Sequence, residues 1–504
     1  MECIWSLAVL ALALFLHFLN KQWQRKKKIM LHLPPAPRGL PIIGHIHLLG
    51  KNPHQDFRRL AQQHGDIMRM RLGSLPIVVV SSPAAAELVL KTHDAVLSDR
   101  PHYLSTTRLT YGHRDVIFAP CGPYWRNMRK LCTLELLSGP KIEEFQPMRR
   151  AELGVAVEGI RRAAEGREVV DVSARVGGLV GDMNCLMVFG RKFVDRDLDE
   201  ELGFKDVIDE TTRVAAQPNL GDYFPSMAVL DLQGLNRRIE KLSATFDGFL
   251  DAIINDHVAE KEEEKEKKSR DFVDVMMAIM DSGEAGFDFD RRHVKAVLLD
   301  MLIGGIDTTA TTIDWIMSEL IKNPTVMKKL QKEIEEVVGL DQMVDISQLS
   351  SLKYLECVVK ESLRLHPVAP LLAHAAQKEC ELMGYNIPSK THVFVNVWAI
   401  GRDPHVWPDP ETFFPERFFR SNVDLRGRDF QLLPFGSGRR SCPGLQLGLM
   451  IVQYVVAQLV HCFDWELPDG MLSDQLDMSE KYGMVITRAK PLIAIPMYRL
   501  SKII

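Results

Sequence analysis

The chain has 504 residues, of which 46% are apolar and 25% charged, with a formal net charge of −4. That much apolar side chain excludes disorder as the dominant state, and the near-balanced charge gives no support to a nucleic-acid binder. Eight cysteines stand at irregular positions (3, 121, 132, 185, 357, 380, 442 and 462) with no CxxC pair, which argues against a disulfide framework or zinc ribbon and for a reducing compartment.

Residues Ile4 to Leu19 read IWSLAVLALALFLHFL. The run is short but workable for one bilayer crossing of about 20 residues. Asn20 and Lys21 follow it with no small-residue cleavage site, so the reading is an uncleaved transmembrane signal-anchor over residues 1–20. No Lys or Arg precedes the run, while Lys21, Arg25, Lys26, Lys27 and Lys28 follow it. That asymmetry places the rest of the chain in the cytosol. Residues 21–44 form a basic stop and a proline-rich hinge, with four prolines between 34 and 41 that forbid a helix.

The body, 45–504, opens with a predicted helix over Phe57 to His64. A hairpin follows, with strands Ile67–Leu72 and Ile77–Val80 around Gly73-Ser74. Ser82 and Pro83 are the cap and first-position proline of a helix over Ala84 to His93. From about 125 to 365 the period is chiefly helical. The charge run AEKEEEKEKK at 259–268 reads as a solvated helix end or loop. Short β-like pieces return near 383–398, with proline-rich turns at 404–415. Length alone suggests about three domains of roughly 150 residues, but no internal repeat is present. The fold expected is mainly α with a minor β portion.

The segment Phe435-Gly-Ser-Gly-Arg-Arg-Ser-Cys-Pro-Gly444 puts one cysteine in a glycine-rich loop just before an apolar, helix-like stretch, Leu445 to Phe463. A helix start offers unsatisfied N–H groups and a positive dipole end, which favour a thiolate over a thiol. Gly436, Gly438 and Gly444 remove side chains where something flat approaches the backbone. Arg440 is a fixed cation suited to a carboxylate. Haem has both an iron for the sulfur and propionates for the arginine.

FGSGRRSCPG resembles the haem-thiolate signature FxxGxRxCxG of the cytochromes P-450, and the whole chain is similar to the plant microsomal branch that hydroxylates specialised metabolites. The resemblance implies a single catalytic domain carrying haem b with Cys442 as metal ligand. Phe435, Gly438, Arg440 and Gly444 would lie around the haem. It implies electrons from NADPH through a reductase and a small lipophilic substrate, terpenoid, phenylpropanoid or flavonoid, or alkaloid. The location implied is the endoplasmic reticulum membrane, with the catalytic domain facing the cytosol.

Gly304-Gly305-Ile306-Asp307-Thr308-Thr309 lies inside an apolar helical stretch, about 293–320. Two glycines there cost roughly 1 kcal/mol each relative to alanine, and an acid with two hydroxyls needs an explanation. The segment resembles the family's (A/G)GxDTT motif, which assigns proton delivery to Asp307 and Thr308. Haem-thiolate isomerases and dehydratases typically lack this pair, so its presence favours a monooxygenase over them and over a non-catalytic haem sensor.

Glu361-Ser-Leu-Arg364 puts an acid and a base on one helix face. With Pro415-Glu-Arg-Phe418 it resembles the family's structural lock, with Glu361, Arg364 and Arg417 as members. Trp125-Arg-Asn-Met-Arg129 resembles the family's WxxxR, which implies Trp125 and Arg129 on a propionate, and His374 stands where another propionate partner is expected. Arg126 and Lys130 offer a basic face to an acidic reductase, or a merely solvated one. Pocket walls are implied from the 100–120 loop, parts of 205–250, Leu299–Gly304, Val368–Leu372 and Met484–Val485.

Overall fold

The structure is a computed structural model that describes residues 32–193, 203–263 and 270–502. The anchor expected over 1–20, the basic stop behind it and the second half of the 259–268 charge run lie outside those residues.

Helix α1 (Pro53–His64) begins with Pro53, whose missing N–H costs nothing at a helix start. It leads into strands β1 (Ile67–Leu72) and β2 (Leu75–Val80), antiparallel with Ile67 opposite Val80. After Ser82 the chain is α-helical from Pro83 to Glu87, with the Ala85 N–H donating to Ser82 Oγ at 3.4 Å, and then widens into a looser turn over Leu88–Thr92. The C-terminal β portion starts earlier than the sequence predicts, with β3 (Leu371–Ala375), and continues in β4 (His392–Asn396). The sheet order is β1-β2-β4-β3. Strand β4 runs parallel to β2, Ile77 opposite His392, and antiparallel to β3, Leu371 opposite Asn396.

The helices that build the interior are α2 (Pro123–Leu131), α3 (Val172–Phe189), α4 (Arg291–Gly305), α5 (Asp307–Lys322), α6 (Lys353–Leu365) and α7 (Leu445–Cys462). Helices α4 and α5 form one apolar run interrupted at Ile306. Val294, Leu298 and Leu302 on α4 pack with Phe189, Phe246 and Met276. Ile313, Ile316 and Leu320 on α5 pack with Val358, Leu363 and Val455. The run therefore threads between two apolar clusters. Helix α3, the α4–α5 run and α7 are long and apolar enough to cross a membrane, but more than half of each is buried in protein, so that hydrophobicity serves the core.

The two glycines before Ile306 serve different ends. A Cβ on Gly305 would overlap the side-chain amide of Asn184 on α3, whereas a Cβ on Gly304 meets nothing within 4 Å. Gly305 lets two helices approach; Gly304 leaves a face of α4 open.

Glu361 and Arg364 on α6 are buried, at 0% and 1% exposure. Arg364 grips Glu361 with two parallel bonds, Nε to Oε2 and Nη2 to Oε1, both 2.8 Å. Its other N–H groups donate to the carbonyls of Gly401, Pro410 and Thr412. Arg417 Nε donates to Glu361 Oε1 at 3.0 Å, and the Phe414 N–H joins it at 2.8 Å. The cluster thus pins residues 401–417, the chain that leads into the cysteine loop. Removing one partner strands a buried charge at a cost of about 3–5 kcal/mol. Glu361→Ala and Arg364→Ala are expected to melt far below the wild-type temperature in a thermal denaturation and to lose haem on purification. Wild-type melting in either variant would contradict the pinning role.

Candidate haem site

The cysteine loop and the interrupted helix face each other across an internal hollow of about 380 Å³. Cys442, Gly444 and Phe435 line one side; Gly304, Thr308 and Thr309 line the other. The loop is held by the Cys442 N–H donating to Phe435 O at 2.8 Å. The thiol is open to the hollow yet deep in the molecule. Burial pushes its pKa up, while the Gly444 N–H and the Arg129 charge pull it down. A metal cation on the sulfur would offset the burial cost.

Arg440 Nε donates to Ser98 O at 2.8 Å, and its guanidinium lies 4.1 Å over the Trp125 ring. Arg129 Nη2 donates to Ser441 O at 2.6 Å. Arg100, which sequence reasoning missed, also lines the hollow, with Nε on Ile117 O at 3.0 Å and Nη1 on Ala373 O at 2.5 Å. Its only sequence signal is a charge between Asp99 and Pro101. Among the described residues none of the three arginines forms a side-chain ion pair. Burial and then repulsion from Arg440 push Arg100 down to about 9, and burial takes Arg440 to about 10. Three desolvated cations beside one hollow suit an anionic ligand, and two carboxylates of a flat cofactor meet that demand.

His374 on β3 lines the same rim, and alternation along the strand puts Leu372 on that face as well. Its Nδ1 donates to Leu97 O at 2.9 Å, and burial with the Arg100 charge lowers its pKa to about 3. With Nδ1–H already spent, only the doubly protonated ring donates to a carboxylate through Nε2. A neighbouring carboxylate favours that form.

Three expected residues sit elsewhere. Trp125 does not line the hollow: its indole N–H donates to Val116 O at 3.0 Å, and its ring carries Arg440. Gly438, at φ +68°, clears the loop past Leu90 O and Asp94, where any Cβ would clash. Asp307 lines an adjoining hollow of about 870 Å³, which meets the first at Met484 and Val485. The 205–250 stretch also reaches that second hollow, through Ile208, Arg213 and Leu242, rather than the first.

Thr308 Oγ1 donates to Gly304 O at 2.6 Å. The hydroxyl satisfies a carbonyl at the helix interruption and turns its lone pairs towards the hollow. Val116, Ile117, Val368, Leu372, Met484 and Val485 supply an apolar wall.

The chain matches the family model described as Cytochrome P450 over residues 34–495. It is 48% identical over 475 residues to Cytochrome P450 CYP736A12 of Panax ginseng, covering 93% of this chain and 94% of that one. It is 40% identical to phenylacetaldehyde oxime monooxygenase CYP71AN24 of Prunus mume, over 98% of this chain and 94% of that one. To flavonoid 3'-monooxygenase CYP75B137 of Crocosmia x crocosmiiflora it is 40% identical, over 93% of each. A solved zebra fish cytochrome P450 superposes with a TM-score of 0.73 at 25% identity, covering 89% of this chain and all of that one. A thiol beneath a cation-rimmed hollow, in a chain that shares sequence and fold with these proteins along nearly all its length, belongs to the cytochrome P450 family.

Proposed function

We propose that the chain is an NADPH- and dioxygen-dependent monooxygenase that hydroxylates a small lipophilic specialised metabolite of the plant type. The supporting observation is the pairing of the Cys442 sulfur with the Thr308 hydroxyl across one apolar hollow. Haem bound through Cys442 supplies reduction and cleavage of dioxygen.

Arg440, Arg129 and Arg100 hold the propionates, and His374 joins them when doubly protonated. Trp125 fixes Arg440 from behind. The Gly444 N–H donates to the sulfur and steadies it as a thiolate. Thr308 Oγ1, its own hydrogen spent on Gly304 O, accepts a hydrogen bond from a proton-carrying water in the hollow and so holds that donor at the reacting centre. Asp307, on the wall of the adjoining hollow, passes protons inward from the solvent side. The apolar wall binds the substrate by excluding water, with few polar groups to orient it. Exposed Arg126 and Lys130 on α2 offer charge to an acidic reductase.

The body also has an apolar outer patch. Ile42, Val229, Leu230 and Leu232 are 75%, 93%, 64% and 62% exposed. The turn between β1 and β2 ties their two segments together, since the Gly73 N–H donates to Ile43 O and the Ser74 N–H to Tyr223 O. We assign this patch to the endoplasmic reticulum membrane surface beside the anchor, a second contact with lipid.

Thr308→Ala is expected to keep haem but to lower product formed per NADPH by about tenfold or more, with the lost electrons recovered as peroxide. Coupling equal to wild type would contradict proton control by this residue. Deleting residues 1–28 is expected to weaken pelleting with membranes without abolishing it. Adding Val229→Asp and Leu230→Asp is expected to release the body. Full release by the deletion alone would show that the patch does not bind lipid.

A further inference from the structure

Two buried carboxyls beside the hollow have no part in the chemistry above. Asp115 lies in the loop before α2, and Asp300 lies on α4, one helical turn before Gly304. They are 0% and 6% exposed. Asp300 Oδ2 accepts the Val116 N–H at 2.7 Å and the Ile117 N–H at 3.3 Å. Asp115 Oδ2 accepts the Phe118 N–H at 2.8 Å. Because Asp300 Oδ2 sits on the amide of Val116, the residue after Asp115, the two carboxyls are neighbours, and Asp115 Oδ1 is buried with no N–H or O–H partner. Among the described residues neither carboxyl forms an ion pair. Two ionised carboxyls in contact at such a site repel, and they leave that oxygen unpaired. One proton between them removes both costs.

We propose that Asp115 and Asp300 share one proton, and that the resulting O–H···O bond is a clasp holding the 115–118 loop on α4, where it positions the substrate-facing wall. Val116 and Ile117, whose N–H groups end on Asp300, line the hollow directly. The Val116 carbonyl also receives the Trp125 indole at 3.0 Å and Arg440 Nη1 at 3.3 Å. Opening the clasp therefore displaces both the apolar wall and a cation of the rim. These are positioning residues, acting through the loop backbone. The clasp rests on the hollow being the reaction chamber, but its test reads the loop rather than turnover, so the two readings fail separately.

The groups facing the pair are Arg440 from the cysteine loop, Arg100 from the segment that pairs with the end of β3, and Tyr124 and the Cys132 thiol from α2 and the turn after it. Arg440 favours the ionised form of Asp115, but burial outweighs it and raises both acids, and the Asp115 charge raises Asp300 further. The closed loop thus binds one proton more than the opened loop, in the window from the ordinary carboxylate value near ~4 up to the raised value of the pair. Loop stability is full below that window and falls as pH rises through it.

Amide hydrogen exchange on the holoenzyme reads this directly at Val116, Ile117 and Phe118, corrected for intrinsic exchange chemistry at each pH. From about pH 4 upward, through that window, wild-type protection is expected to fall by up to about tenfold per unit. Asp300→Asn can accept from Val116 and donate to Asp115 without a shared proton. It is expected to keep the protection with a flatter profile. Asp300→Ala is expected to lose protection at every pH. If that variant does not fold, the wild-type and Asn profiles still decide. An Asn variant as open as the Ala variant would overturn the proposal, because an ionised carboxylate would then be what the loop requires. A wild-type profile no steeper than the Asn variant's would overturn it as well.

Discussion

The site depends on keeping a cysteine sulfur uncovered inside the protein next to three desolvated guanidinium groups. Their N–H groups are satisfied by backbone carbonyls at Ser98, Ile117, Ala373 and Ser441, so they cost little as hydrogen-bonding groups. As charges none of them has an ion-pair partner among the described residues, and burial depresses the pKa of each one. An interior arranged like this is stable only with an anion that fits it. Haem with two propionates and an iron for Cys442 answers the cations and the sulfur together.

The rest of the fold keeps that hollow open and correctly shaped. The buried cluster of Glu361, Arg364 and Arg417 holds the 401–417 chain by its carbonyls and so sets where the cysteine loop starts. Opposite, the α4–α5 run is locked between two apolar clusters. Its interruption at Ile306 lets the Thr308 hydroxyl take over the Gly304 carbonyl. Rigid walls on both sides are what a reaction decided by sub-ångström placement over a metal requires.

Much of this was legible in the sequence where chemistry is concentrated in a short span. Cys442 and Arg440 share a ten-residue loop, and Glu361 and Arg364 share one helical turn, so local spacing already implied their geometry. Residues whose reason lies across the fold were misread or missed. Gly305 and Gly438 look like space for a cofactor, but their hydrogens face Asn184 and Leu90, which only packing reveals. Arg100 is one arginine among many until β3 brings Ala373 to it. Strand β3 itself follows a proline-rich turn and has no polar alternation, so the sequence pattern starts the β portion too late. The meeting of Asp115 and Asp300, 185 residues apart, has no sequence signal at all.

The site stands on the bond from sulfur to iron, and Cys442→Ser tests that bond most directly. Purified wild-type protein is expected to contain about one porphyrin per chain and to show, when reduced under carbon monoxide, the long-wavelength Soret band of a thiolate-ligated haem. The serine variant is expected to lose that band and all NADPH-driven oxidation. Porphyrin absent from the wild type, or oxidation surviving in the serine variant, would contradict the account.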